Sequence, residues 1–179
     1  MIPRPTSERL VEAALDVLGG RRATVVDVGT GSGALALAIA TAAPRARVWA
    51  TDTSAAAVAL ARENVHREGL TGRVIVRQGD LLDPVPGSVD LVVSNLPYLP
   101  RDERERHPDL AGEPAEAVFA ACDGLGPYRR LISASEARLT AEGVLVIQFR
   151  GRVLGARRAE LEVLRGRLED EAGLALEAA

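Results

Sequence analysis

The chain has 179 residues, 47% of them hydrophobic, and a formal net charge of −3. That length and apolar content suffice for one sizeable core and a single domain over 1–179, while the acidic balance argues against general nucleic-acid binding as the main activity, though not against a local basic patch. The one cysteine, Cys122, excludes an internal disulfide, and neither it nor His66 and His107 stands in a metal-ligand spacing, so no metal site is expected.

In chain order, Ser7 through Leu18 reads as a helix with one apolar stripe at Leu10, Val11, Ala14, Leu15 and Leu18, ended by Gly19-Gly20. Residues 1–20 thus form an amino-terminal helical segment that carries Arg4-Pro5 to the edge of a sheet. Thr24-Val25-Val26-Asp27-Val28 is a β-branched run fit for a central parallel strand, and it leads into Gly29-Thr30-Gly31-Ser32-Gly33 and then a helix over Ala34 to Ala40. Glycines there let the backbone turn sharply and approach a ligand, and the helix start points free N–H groups at it. The same pattern fits dinucleotide sites, so the loop alone leaves a nicotinamide cofactor and an adenosyl cofactor both open.

A second strand, Arg47 to Thr51, ends at Asp52, whose carboxylate is placed to accept from a pair of ribose hydroxyls. Ser54 is a candidate N-cap for a helix from Ala55 to Glu68, with Gly69 as its stop. A third strand, Arg73 to Arg77, leads to Gln78-Gly79-Asp80-Leu81, where Asp80 could accept from an adenine amino group. Either aspartate could instead simply cap a turn. The apolar run Leu91 to Ser94 then delivers Asn95-Leu96-Pro97-Tyr98 to the carboxyl end of a buried strand, where open α/β sheets hold their ligands. The Asn95 side-chain oxygen and the Leu96 carbonyl can both accept from one NH2 group, Pro97 stiffens the turn, and Tyr98 offers a ring to stack on a planar substrate.

The connection from Leu99 to Gly126, rich in Pro and charge, reads as a solvated loop or as a lid on the substrate side. Pro127 starts a helix that packs Leu131, Ile132, Ala134, Ser135 and Leu139 on the sheet, and a fifth strand runs from Gly143 to Phe149. Arg157 to Asp170 is expected to be helical and Gly173 to Ala179 to supply one further strand. No apolar run reaches transmembrane length and the start lacks a signal-peptide core, so the expected setting is cytoplasmic.

These residues together resemble the class I S-adenosylmethionine (SAM) methyltransferases, and among them the release-factor glutamine methyltransferases of the HemK/PrmC family. The likeness spans Ile2 to about Gln148. It is carried by Ile2-Pro3-Arg4-Pro5 with Glu8, the 27–33 loop, Ala61-Arg62-Glu63-Asn64, Gly79-Asp80-Leu81, Asp90 through Tyr98, and Asp123-Gly124-Leu125 followed by Tyr128-Arg129-Arg130. It implies an α/β, Rossmann-like fold, a mostly parallel sheet flanked by helices. It also implies a SAM site of Asp27, Gly29, Thr30, Gly31, Gly33, Asp52, Asp80, Leu81 and Asn95, in which the three glycines face the methionine part. Asn95, Leu96, Pro97 and Tyr98 would form the catalytic turn, with Arg4 and Pro5 joining Asn95 and Tyr98 against the substrate, a release factor.

Several positions depart from that family's pattern. Leu96 stands where Pro is usual, which makes Asn-Leu-Pro-Tyr similar to the motif of rRNA adenine dimethyltransferases. Gln148 stands for a common Glu and Arg150 for an adjacent Gly, and Thr6-Ser7 stands where an acidic residue and Thr are usual. By that resemblance the chain is expected to start at the catalytic domain, without the helical domain that precedes it in full-length members, and the last strand of the fold is expected to be missing. An unpaired sheet edge then implies self-association, as a homodimer, or an activating partner. Methylation of an adenine in RNA or DNA, methylation of a small amine, a non-catalytic SAM-binding subunit and a nicotinamide dehydrogenase are the alternatives, the last weakened by the lack of a proton relay.

Overall fold

A computed structural model of the chain describes residues 5–97, 99–100, 119–120 and 124–177. Arg4, Tyr98, Cys122 and most of the expected lid, His107 included, lie outside these residues.

Helix α1 (Pro5–Leu18) precedes β1 (Ala23–Val28), α2 (Ala34–Ala42), β2 (Ala46–Asp52), α3 (Ala55–Arg67), β3 (Val74–Gln78) and β4 (Val89–Ser94). Two two-residue strands, β5 (Leu99–Pro100) and β6 (Phe119–Ala120), pair parallel to each other. Helix α4 (Gly126–Arg138), β7 (Leu139–Phe149), β8 (Arg152–Arg157) and α5 (Leu161–Glu177) complete the order.

The main sheet runs β3-β2-β1-β4-β7-β8, parallel throughout except for the antiparallel β7/β8 pair. Both of its faces are covered, which is why the central strands are apolar runs and not alternating patterns. One face buries Val26, Val28, Val92, Leu145 and Ile147 beneath α4 and α5, through Tyr128, Leu131, Ile132, Leu161, Leu164 and Leu168. The other buries Val25, Val48, Ala50, Leu91 and Val93 beneath α1, α2 and α3. The expected α1 stripe is real: Leu10, Ala14 and Leu18 are fully covered and Val11 and Leu15 partly so.

The predicted caps of α3 also stand. Ser54 Oγ accepts from the Ala57 N–H at 3.3 Å. At the far end Gly69 takes φ +68, its N–H bonds the His66 carbonyl and the Leu70 N–H bonds the Val65 carbonyl, the two bonds of a Schellman stop. His66 is exposed on the helix, as expected.

The carboxyl end differs from expectation. One strand does follow β7, but it is Arg152–Arg157 and not 173–179, and 173–177 continue the helix α5. The reason is the hairpin loop Arg150-Gly151, whose residues take φ +47 and +76, the handedness that suits a two-residue turn between twisted strands. It returns the chain at once and places β8 on the β7 edge with Leu154 and Ala156 facing the core. With that edge taken, Leu174, Ala175 and Leu176 follow their helix propensity. Among the described residues no helix is long and apolar enough to cross a membrane.

Candidate active site

The parallel strands β1, β2, β3 and β4 end on one side of the sheet, and the predicted loops gather there.

The glycine loop is held from three directions. Gly29 and Thr30 donate their N–H groups to the Thr51 carbonyl at 2.9 and 3.0 Å, which fastens the loop to the end of β2. The Gly31 N–H donates to Asp52 Oδ2 at 2.9 Å, while Asp52 Oδ1 accepts from the Ser54 N–H at 2.9 Å. Beneath the loop, Asp27 Oδ2 accepts from Thr30 Oγ1 at 2.6 Å and from the Ala36 N–H at 3.1 Å. Burial pushes the Asp27 carboxyl up to about 6; these two bonds pull the other way without cancelling it, and the Asp52 charge adds slightly to the rise. Asp27 is thus an internal brace of the loop, shielded from contact with a ligand by burial.

Gly29, Gly31 and Gly33 all take positive φ, but for different reasons. A Cβ on Gly33 would crowd Ala61 at 3.2 Å and one on Gly29 would meet Leu96 Cδ2 at 2.8 Å, whereas one on Gly31 would meet nothing within 4 Å among the described residues. Gly31 therefore borders open space above the loop, and Gly33 permits close packing of α2 against α3. Asn64, which reaches back to donate to the Ser32 carbonyl at 2.8 Å, ties α3 to the same loop.

At the end of β3, Gly79 passes so close to Pro84 that no side chain fits there. Leu81 takes φ +45, and its carbonyl accepts from Thr51 Oγ1 at 2.8 Å. Asp80 is half exposed and paired with Arg130 of α4, so one carboxylate oxygen is engaged from the surface side. Thr51 and Arg130 are contacts that sequence reasoning missed. Thr51 is buried at a strand end, where a hydroxyl needs a partner, and that was the one available signal. The pairing of residues 80 and 130 left none.

The turn after β4 is anchored by Ser94, whose Oγ donates to the Val28 carbonyl at 2.7 Å and so locks the ends of β4 and β1 together. Asn95 is exposed at the strand end, Leu96 is buried with its side chain against Gly29, and Pro97 is half-buried. The Leu96 carbonyl accepts from Tyr128 Oη at 2.7 Å, and the same hydroxyl lies 2.7 Å from the Gln148 carbonyl. Gln148 is itself buried, and its side-chain oxygen has no hydrogen-bond partner among the described residues.

Chemically the described residues set two carboxylates, Asp52 and Asp80, on one side and an exposed amide, Asn95, on the other. Each Asp52 oxygen accepts one backbone N–H and so keeps a lone pair for a further donor. The structure therefore brings Asp27, Gly29, Thr30, Gly31, Gly33, Asp52, Asp80, Leu81, Asn95, Leu96 and Pro97 to one end of one sheet. Arg4 and Tyr98 lie outside the described residues.

The family model described as the methyltransferase small domain matches residues 6–113. The chain is 40% identical over 149 residues to the release factor glutamine methyltransferase of Rhodospirillum rubrum, covering 82% of this chain and 46% of that protein. It is 40% identical over 163 residues to that of Deinococcus radiodurans, covering 90% and 58%. The chain thus spans about half the length of the curated relatives it matches. Among solved structures, a ribosomal protein L11 methylase from Lactobacillus delbrueckii subsp. bulgaricus aligns with a TM-score of 0.56 at 24% identity over 82% of this chain and 61% of that one. TrmN from Thermus thermophilus aligns with a TM-score of 0.56 at 23% identity, covering 82% and 43%. Both show likeness of fold.

Proposed function

The chain belongs to the methyltransferase small-domain family, and we propose that it is the catalytic unit of a SAM-dependent N-methyltransferase acting on the side-chain amide of a glutamine in a peptide chain release factor. The observation that carries this reading is the contact between the glycine loop and the Asn95-Leu96-Pro97 turn at Gly29 and Leu96. Two loops with complementary chemistry, one for an adenosyl ligand and one for a planar NH2 group, then share a border.

The residues fit SAM. Open space at Gly31 leaves room for the methionine part beside the loop, Asp52 retains lone pairs for the ribose hydroxyls, and Asp80 retains one oxygen for the adenine amino group. SAM, when bound, supplies a sulfonium methyl group: the S–C bond breaks with its electron pair passing to sulfur, the N–C bond forms, and a proton of the acceptor nitrogen leaves to water. The Asn95 and Leu96 oxygens accept both N–H bonds of the acceptor, orient its nitrogen and stabilise the positive charge that develops on it. Orientation and electrostatics supply the catalysis, with no dedicated general base. In this reading the protein partner is the release factor, the setting is cytoplasmic, and the outer edge of β8, unpaired among the described residues, is where self-association or an activating partner would act.

Calorimetric titration of the chain with SAM, S-adenosylhomocysteine and NAD, followed by mass spectrometry of release factor and of RNA after incubation with SAM, tests the proposal. Binding of the two adenosyl ligands and a mass gain of one methyl group on a release-factor glutamine are expected. Methyl transfer to adenine alone would reassign the acceptor, and binding of NAD alone would overturn the reading.

A further inference from the structure

We infer that Tyr128 is a positioning residue for methyl transfer, its buried hydroxyl holding the Leu96 carbonyl in the direction from which it grips the acceptor NH2 group. The inference rests on the reading of Asn95 and Leu96 as paired acceptors. Tyr128 sits in the first turn of α4, is fully buried, and packs edge-on against Phe149 with ring centroids 5.3 Å apart. Its hydroxyl lies 2.7 Å from the carbonyl oxygens of both Leu96 and Gln148.

Those two carbonyls occupy a particular place. The ladder between β4 and β7 ends at the pair Ser94 and Ile147, and beyond it the two strands have no shared register. Backbone carbonyls past the end of a ladder need another partner when buried. The Tyr128 hydroxyl stands between the two departing strands and bridges them where the ladder stops. A phenol has one proton, so it donates to one carbonyl at a time and holds both within reach. A carbonyl oxygen has two lone pairs, so Leu96 keeps one for the acceptor amide while Tyr128 engages the other.

The ring alone would fill the same space. A hydroxyl at the centre of an apolar cluster is stabilising only where its hydrogen bonds are met, and here both acceptors belong to the backbone that frames the acceptor turn. Since displacement of a reacting group by about 1 Å can cost on the order of 100-fold in rate, the direction of this one carbonyl matters to turnover more than to folding.

Tyr128→Phe keeps the ring and removes the donor. In the full chain, with release factor as acceptor, kcat should fall by about tenfold, while KM for the acceptor and the affinity for S-adenosylhomocysteine, measured by calorimetry, stay within about twofold. Replacing Tyr128 with 4-aminophenylalanine restores a donor at the same point, and kcat should return to within about twofold of the starting chain. A purely structural tyrosine would instead weaken S-adenosylhomocysteine binding along with turnover, and that pattern, or an unchanged kcat in Tyr128→Phe, overturns the inference, whereas a lower melting temperature is expected in either case because buried carbonyls lose their donor. Should the phenylalanine variant not fold, the 4-aminophenylalanine protein carries the test, and a loss of about tenfold or more in its kcat at intact S-adenosylhomocysteine affinity overturns it. A starting chain that methylates no amide at all overturns the functional reading, and this role with it; an active one beside an equally active Tyr128→Phe overturns only the role.

Discussion

Gly29 and Leu96 touch across the ends of β1 and β4, so closely that a Cβ on residue 29 would lie 2.8 Å from Leu96 Cδ2. The glycine loop and the acceptor turn are therefore one mechanical unit. Gly29→Ala should lower stability by about 1–3 kcal/mol, part of it from φ +71 and part from the contact. In a Leu96→Ala background the same substitution should lose the second part. A double-mutant cycle by urea denaturation checks this, and strictly additive costs would mean that the contact carries no energy.

Among the described residues, Asp52 is the only carboxylate that bonds the glycine loop from outside, through the Gly31 N–H at 2.9 Å. Asp52→Ala should weaken SAM binding by about 1–3 kcal/mol, because ribose hydroxyls lose their acceptor and the loop loses its tether. Asp80→Asn should weaken it less, since an amide keeps one acceptor oxygen. Calorimetry on both variants decides, and an Asp52→Ala chain with undiminished affinity would remove Asp52 from the site.

Asn95 is exposed at the strand end and braces nothing that the structure describes, so Asn95→Ala should leave folding and SAM affinity nearly intact. The methylation rate should drop by about 100-fold or more, the usual loss when one preorganised group facing a developing charge is removed. A full rate in steady-state assays would reduce the motif to a turn.

The buried Asp27 makes stability depend on pH in an unusual direction for an aspartate. Its carboxyl titrates near 6 in the fold against 3.8 in an exposed chain, so the folded state holds the proton more tightly. Stability from the neutral form is complete below about 3.8 and is lost as the pH rises through about 6. Two units correspond to roughly 3 kcal/mol at most. Urea denaturation of the starting chain and of Asp27→Asn from pH 4 to pH 8 should show the difference between them shifting against the starting chain across that window. A constant difference would contradict the raised titration.

Much of this protein is local and hence legible in its residues. The strands β1 to β4, the glycine loop, the Ser54 cap, the Gly69 stop and the α1 stripe each follow from near neighbours: β-branched runs, backbone freedom, a side-chain acceptor two or three residues ahead. The carboxyl end was misread for the same reason. Arg150-Gly151 is not one of the usual hairpin pairs, and whether Gly173 to Glu177 extends or coils depends on whether a sheet edge is free, a question that β8 answers from elsewhere in the chain.

Amino-acid order alone determined which chemical groups exist and in what local frames: three glycines between a strand and a helix, aspartates at strand ends, an amide before a stiff turn. Tertiary structure decided how they are coupled. It made Asp27 an internal brace by burying it, set Arg130 against Asp80 across fifty residues, pressed Leu96 onto Gly29, and placed the Tyr128 hydroxyl between two carbonyls at the end of a ladder. The physical reason is that local sequence sets backbone conformation within a few residues, whereas burial, and with it the obligation of every polar group to find a partner, is defined only once distant segments close around it.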